Sequence, residues 1–241
     1  SEVGNVRKLN EDACLDLSPS GLWVVADGMG GHAAGDVASR MVTEKLRSVG
    51  EHQRFSELVN DVEDRVLEAN ERLYSMATQG GEERIIGCTF VGLLTNGTHC
   101  LSVWAGDSRV YRLRDGKLEQ ITRDHSEVEE MLQRGEISAN SAEAEAVQNV
   151  VTRAVGGTDR LFLDYTVDEI HDNDRFLLCS DGLYKELSPD DLTAQLGNTA
   201  CAAACDALLA AALGRECSDN VTAIVVDFHE AKDLTVRDDS R

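Results

Sequence analysis

Basic residues are few in this chain: 23 Lys and Arg stand against 44 Asp and Glu, for a formal net charge of −21. No basic patch is available to displace counterions from a phosphate backbone, which argues against nucleic-acid binding. Anionic membrane surfaces are disfavoured on the same ground. No apolar run reaches membrane-spanning length. The longest, 200–213, is Ala-rich, is interrupted by Asp206 and stops at Gly214, so it reads as a buried helix. Proline occurs only twice, and no proline-rich linker, low-complexity segment or repeat marks a domain joint. The seven cysteines include no Cys-x-x-Cys pair and no zinc-finger spacing with histidine. Most lie in apolar stretches, which predicts buried thiols in a reducing cytoplasm. Cys217, near Asp219, is the one candidate for a reactive thiol.

What is present is a chain of 241 residues with an ordinary hydrophobic share of 42%, long enough to bury a substantial core. Two strands are expected before residue 27. Helices are expected over 35–49 and from residue 55, where Phe55, Leu58, Val59, Val62, Val66, Leu73 and Tyr74 mark one face. Strands follow over 87–95, 98–105, 109–113 and 118–122, with Asn96-Gly97 as a two-residue hairpin signal. A polar, acidic segment follows, with one helical patch over 128–134. Strands return over 162–167 and 175–179. Ser188-Pro189-Asp190-Asp191 reads as a helix start with Ser188 as N-cap. The Ala-rich helix and a strand over 221–228 close the pattern. Strand pairs separated by helix blocks predict antiparallel sheets covered by helices. A Rossmann reading fails, because Gly28-Met29-Gly30-Gly31 lacks the G-x-G-x-x-G spacing.

Four aspartates mark the ends of the apolar runs. Asp27 follows 22–26, Asp107 follows 101–106, Asp181 follows 176–180, and Asp219 precedes 221–228. Carboxylates at the ends of several core strands can converge on one rim, where they repel each other unless a cation neutralises them. Hard divalent cations suit such oxygen ligands. The competing reading is that Asp-Gly merely turns the chain. Asp115-Gly116, between two alternating strands, is read that way. The set as a whole proposes a Mg²⁺ or Mn²⁺ centre.

Seven stretches carry a family resemblance, in order along the chain: Arg7-Lys8-Leu9-Asn10-Glu11-Asp12-Ala13, Asp27-Gly28-Met29-Gly30-Gly31-His32, Gly87-Cys88-Thr89, Gly106-Asp107-Ser108-Arg109, Thr152-Arg153-Ala154-Val155-Gly156, Ser180-Asp181-Gly182-Leu183 and Ser218-Asp219-Asn220-Val221-Thr222. Together they resemble the bacterial metal-dependent Ser/Thr protein phosphatases of the type 2C (PPM) family. The resemblance implies an α+β fold, a four-layer α-β-β-α sandwich with two antiparallel sheets face to face. It implies one catalytic domain over 1–230, a flap over about 126–146, and a charged tail over 231–241.

The same resemblance assigns roles by position. Asp27 resembles the carboxylate shared by two core metals, and the Gly28 carbonyl a ligand of the second. Asp181 and Asp219 resemble the remaining carboxylates of the first. Asp12, with Glu11 beside it, matches an acidic position holding the second metal, directly or through water. Asp107 and Asp181 resemble a pair holding a weaker third ion; the alternative for Asp107 is a turn cap. Arg7 resembles the residue that grips substrate phosphate, its alternative being a surface pair with Glu2 or Glu11. Asn220 is expected to orient the attacking water. Eukaryotic members carry His at the position of Met29, and Met cannot donate a proton; His32, three residues on, is the expected helper. The implied substrates are phosphoproteins made by a partner bacterial Ser/Thr kinase. The implied protein is a cytoplasmic monomer without nucleic-acid or membrane partners.

Other functions fit less well. A non-catalytic relative serving as a binding or sensing module would lack a bridging carboxylate, and all are present. A metal-dependent nuclease would need a basic groove. An aspartyl-phosphate enzyme would need an Asp-x-Asp pair where Asp27-Gly28-Met29 stands.

Overall fold

The computed structural model describes residues 1–30, 34–79, 84–139, 141–197 and 200–229. Among these, ten strands build two sheets, paired antiparallel throughout. The first sheet takes β1 (Asp12–Leu17), β2 (Leu22–Met29), β4 (Phe90–Thr95), β5 (His99–Ala105) and β8 (Asp164–Glu169) in that order, with β3 (Gly87–Cys88) beside the end of β2. The second runs β10 (Ala223–Asp227), β9 (Arg175–Cys179), β6 (Arg109–Arg114) and β7 (Lys117–Gln120).

Alternation along the strands makes four layers. In β2, Leu22, Val24 and Ala26 face α1 (Ala34–Leu46) and α2 (Phe55–Thr78), which contribute Val42, Leu46, Leu58, Val62, Val66 and Leu73 to one core. Trp23 and Val25, on the other face, pack with Val91, Leu93, Val110, Phe176, Leu178 and Val226 between the sheets. The outer face of the second sheet, with Leu177, Cys179 and Val225, is covered by α5 (Asp181–Tyr184), α6 (Pro189–Leu196) and α7 (Cys201–Leu213). The four-layer sandwich expected from the family resemblance is the fold observed.

Ser188 caps α6 through a capping box. Its Oγ accepts from the Asp191 N–H at 3.2 Å, and Asp191 Oδ2 accepts from the Ser188 N–H at 2.9 Å. Asp115-Gly116 joins β6 to β7 with φ of 51° and 74°, a turn that Asp and Gly tolerate.

Several elements differ from expectation. The run 87–95 is not one strand, because Thr89 leaves the ladder to bond Asp27. Asn96-Gly97 belongs to a longer turn: the Asn96 side chain accepts from the N–H groups of Thr98 and His99, and only Gly97 takes a positive φ. In the polar excursion, α3 (Glu127–Gln133) is joined by an unexpected α4 (Ala142–Val147), capped by Ser141 Oγ. The excursion closes where Ser126 bridges Val151. Strand β8 starts two residues late, because Leu161 and Leu163 pack on the helix-side core before the edge pairing begins. Gly80-Gly81, His32 and the tail over 231–241 lie outside the described residues.

Candidate metal centre

All the acidic positions lie at one end of the sandwich. Strand β1 begins there with Asp12, opposite Asp27 near the end of β2. Asp27 shares the parity of Trp23 and Val25, so it continues the face between the sheets. Asp107 lies in the crossing from β5 to β6, Asp181 directly follows β9 as the first residue of α5, and Asp219 precedes β10. A cleft of about 670 Å³ opens at this end; its lining includes Arg7, Glu11, Asp27, Gly28, Asp107, Asp181 and Asp219. Met29, Lys185 and Gln148, Asn149 and Val151, from the segment after α4, complete much of the wall.

Each carboxylate is held differently. The Asp27 backbone is clamped by Thr89, whose N–H donates to the Asp27 carbonyl at 2.8 Å and whose Oγ1 accepts from the Asp27 N–H at 3.2 Å. Thr89 Oγ1 also lies 2.6 Å from Ser108 Oγ, tying Asp27 to the turn that carries Asp107. Burial pushes the Asp27 carboxyl well above its ordinary pKa, and the charges of Asp12, Asp181, Asp107 and Asp219 push it further. Asp107 is 4% exposed; burial, then Asp181, raise it to about 7 against the opposing charge of Lys185. Its carbonyl accepts from Tyr184 Oη at 3.0 Å, and the Arg109 guanidinium lies 3.5 Å from the centre of the Tyr184 ring while gripping Asp124.

Asp219 is paired with Arg7 at 2.9 Å, and Asp181 with Lys185 at 2.5 Å. The surface pairs of Arg7 with Glu2 or Glu11 are therefore replaced by a pair at the cleft. As the side chains stand, no three His, Cys, Asp or Glu residues among those described converge tightly enough to chelate one ion. The donors nevertheless suit a hard cation in kind: they are all oxygens, and the charge of Asp181 disfavours ionisation of both Asp27 and Asp107. Gly28 lines the cleft beside them. A Cβ there would lie 2.2 Å from the Gly35 carbonyl oxygen and 2.5 Å from that of Glu11, so only glycine lets β2 meet the start of α1.

Two of the expected site residues stand back from the cleft wall. Asp12 does not line the cleft; it is 8% exposed, and its Oδ2 accepts from Ser180 Oγ at 2.8 Å and Thr222 Oγ1 at 2.7 Å. It braces one sheet against the other, with burial raising its pKa to about 6, while Glu11 faces the cleft. Asn220 is not a cleft residue either. Its Nδ2 donates to the carbonyls of Val3 and Leu9 at 2.8 and 3.0 Å, and its Oδ1 accepts from the Glu11 N–H at 2.8 Å. Both amide hydrogens are thus spent on seating the N-terminal segment that carries Arg7 and Glu11. The reactive-thiol candidate also falls: Cys217 is buried, and burial raises its pKa, as it does for Cys88, Cys100, Cys179, Cys201 and Cys205. Cys14, against expectation, is exposed on β1.

Sequence reasoning gave no role to Thr89, Ser180, Thr222 or Lys185. The three hydroxyl residues lie within the recognised motifs, which was the available signal; Lys185 carried none.

Comparison with known proteins bears on the fold and the family. The serine/threonine protein phosphatase PstP of Mycobacterium tuberculosis is 33% identical over 227 residues, which cover 94% of this chain and 44% of that protein. This chain thus spans under half of that relative. A structure of the PstP catalytic domain in complex with two manganese ions superposes with a TM-score of 0.84 at 32% identity, covering 95% and 96% of the two chains. PppA, described as a key regulatory component of T6SS in Pseudomonas aeruginosa, superposes with a TM-score of 0.86 at 41% identity over 95% of both chains. Residues 5–215 match the family described as protein phosphatase 2C, and the chain belongs to that family.

Proposed function

We propose that this chain hydrolyses phosphoserine and phosphothreonine on proteins at a centre of two Mg²⁺ or Mn²⁺ ions, with a weaker third. The observation that carries this reading is Asp27, a partly buried carboxylate that lines an open cleft and is set among Asp12, Asp107, Asp181 and Asp219. Asp27 would be shared by both core ions, Asp181 and Asp219 would complete one, and Glu11 with the Gly28 carbonyl would complete the other. Asp107 with Asp181 would hold the third. When bound, the ions supply a water acidic enough to act as hydroxide near neutral pH, and they offset charge on the phosphoryl oxygens.

The protein's own groups do the rest. Thr89 fixes the Asp27 backbone, and Asn220 seats the segment behind Arg7. Arg7 is half exposed, and its planar fork matches two phosphate oxygens. Its pair with Asp219 is itself exposed and contributes little, so exchanging Asp219 for a phosphate costs little. Met29 lines the cleft without an ionisable group; His32 is kept as the proposed acid for the leaving oxygen. The substrates proposed are proteins phosphorylated by a bacterial Ser/Thr kinase, bound by a monomer.

Purified protein with Mn²⁺ should release phosphate from a phosphothreonine peptide; none released over a range of Mn²⁺ concentrations would sink the phosphatase reading. Arg7→Ala should weaken inhibition by inorganic phosphate about tenfold or more, the scale of one charge-assisted fork, while Mn²⁺ affinity stays within about twofold. An unchanged kcat/KM would reduce Arg7 to an ion-pair partner.

A further inference from the structure

Lys185 lines the cleft but has no part in the chemistry above. It caps the C-terminal end of α5, one turn after Asp181, and its Nζ donates to Asp181 Oδ2 at 2.5 Å and to Asn149 Oδ1 at 2.6 Å. The side chain is about one-third exposed, at 32%, and Asp181 is more enclosed, at 15%. An i,i+4 Asp–Lys pair on an open helix surface contributes little. This pair is not on an open surface. Asp107 and Asp27 both lie within electrostatic range of the ammonium, and Asn149 belongs to the end of the excursion that returns through the Ser126–Val151 bridge. The ammonium thus joins helix α5, an acidic pair and the flap.

We propose that Lys185 is a tethered cation: its ammonium occupies the position by Asp181 and Asp107 that a third ion would take, and through Asn149 it fastens the segment 147–151 that closes the flap. An ion entering there must displace the ammonium and so release that segment. This rests on the metal-centre reading above. Lysine suits the task as a compact point charge on a flexible stem. Being covalently attached, it competes at an effective concentration on the order of millimolar or more, so a third ion would fill only at high metal concentration.

Lys185→Met keeps the length of the side chain and removes the charge; Lys185→Gln is a second uncharged variant should the first not fold. Bound Mn²⁺ is counted by equilibrium dialysis on the full chain, and amide hydrogen exchange over 147–151 is followed in chelator. The third Mn²⁺ should bind at least about tenfold more tightly in the uncharged variants, the scale expected on removing a tethered competitor. That gain should vanish when Asp107→Ala is added. In chelator, exchange over 147–151 should rise by roughly tenfold, the scale of one charge-assisted hydrogen bond. A third-ion affinity or an exchange rate equal to wild type would overturn the proposal, since it requires both to change. Weakened phosphate binding with an unaltered ion count would overturn it in favour of a substrate contact. Failure of the metal centre itself looks different: the wild-type chain would then bind no Mn²⁺ tightly, and the proposal would fall with it.

Discussion

Asp27→Asn should lower turnover on a phosphothreonine peptide by at least about a thousandfold, roughly 4 kcal/mol of transition-state stabilisation, while leaving the fold intact. Asn nearly preserves the volume and the Thr89 clamp, which holds only the Asp27 backbone. What is lost is the anionic oxygen shared between the two proposed ions. In chelator the same substitution should stabilise the protein, because the carboxyl it removes is buried among Asp12, Asp181, Asp107 and Asp219. For a chain of this size each kcal/mol gained raises Tm by about 2–4 °C. Two measurements test this: kcat with saturating Mn²⁺, and melting of both proteins in chelator. A variant that keeps near-wild-type turnover removes Asp27 from the chemistry. A variant that is inactive but melts far below wild type makes Asp27 a structural residue.

The second large effect is an inverted pH dependence of stability in the metal-free protein. Asp107 titrates at about 7 and Asp12 at about 6 in the folded chain, against roughly 3.9 when unfolded. Between about pH 4 and pH 7 the folded state therefore holds more protons than the unfolded state. Stability contributed by these groups is full below pH 4 and is lost as pH rises through the folded values. The loss should be on the order of a few kcal/mol. Asp61, Asp164, Asp174 and Asp227, whose pKa values are lowered, act below this window. His125, lowered by burial, works in the opposite direction within it. The Mn²⁺-loaded protein is therefore the proper comparison. Ion binding requires deprotonated carboxylates, so loading should turn the falling profile into a rising one. Denaturant melts at pH 4, 5.5, 7 and 8, with chelator and with Mn²⁺, read this directly; parallel profiles would mean that the acidic cluster does not answer to the ion.

Much of the fold was legible because burial imposes period. The unbroken apolar run 22–26 marks a strand buried on both faces, and the helical spacing of Leu58, Val62, Val66 and Leu73 marks one helix face; both pack in the core accordingly. The four strand-end aspartates were legible for a related reason: an acidic residue at the end of a buried run marks where the sheets open. Side-chain hydrogen bonding was not legible. Nothing local in Asn220 says that its amide will be spent on Val3, Leu9 and Glu11, more than 200 residues away along the chain. Glu11 and Asp12 are adjacent and chemically alike. Glu11, just before β1, lines the cleft, while Asp12, the first residue of β1, is held by Ser180 and Thr222 of the other sheet. The break at Thr89 follows from the same kind of long-range bond, and β8 is an edge strand whose mostly exposed residues carry a weak pattern. Lys185 could not be read as a cleft cation before α5 and the flap were placed together.

The most direct test of the metal-dependent reading is one titration: metal-free protein receives Mn²⁺ in steps, and bound ions per chain and phosphothreonine-peptide turnover are measured on the same samples. Turnover should be negligible up to one bound ion, rise as the second is taken up, and disappear again on chelation. Full turnover with no ion bound, or turnover that ignores the second ion, would contradict the two-ion centre built on Asp27.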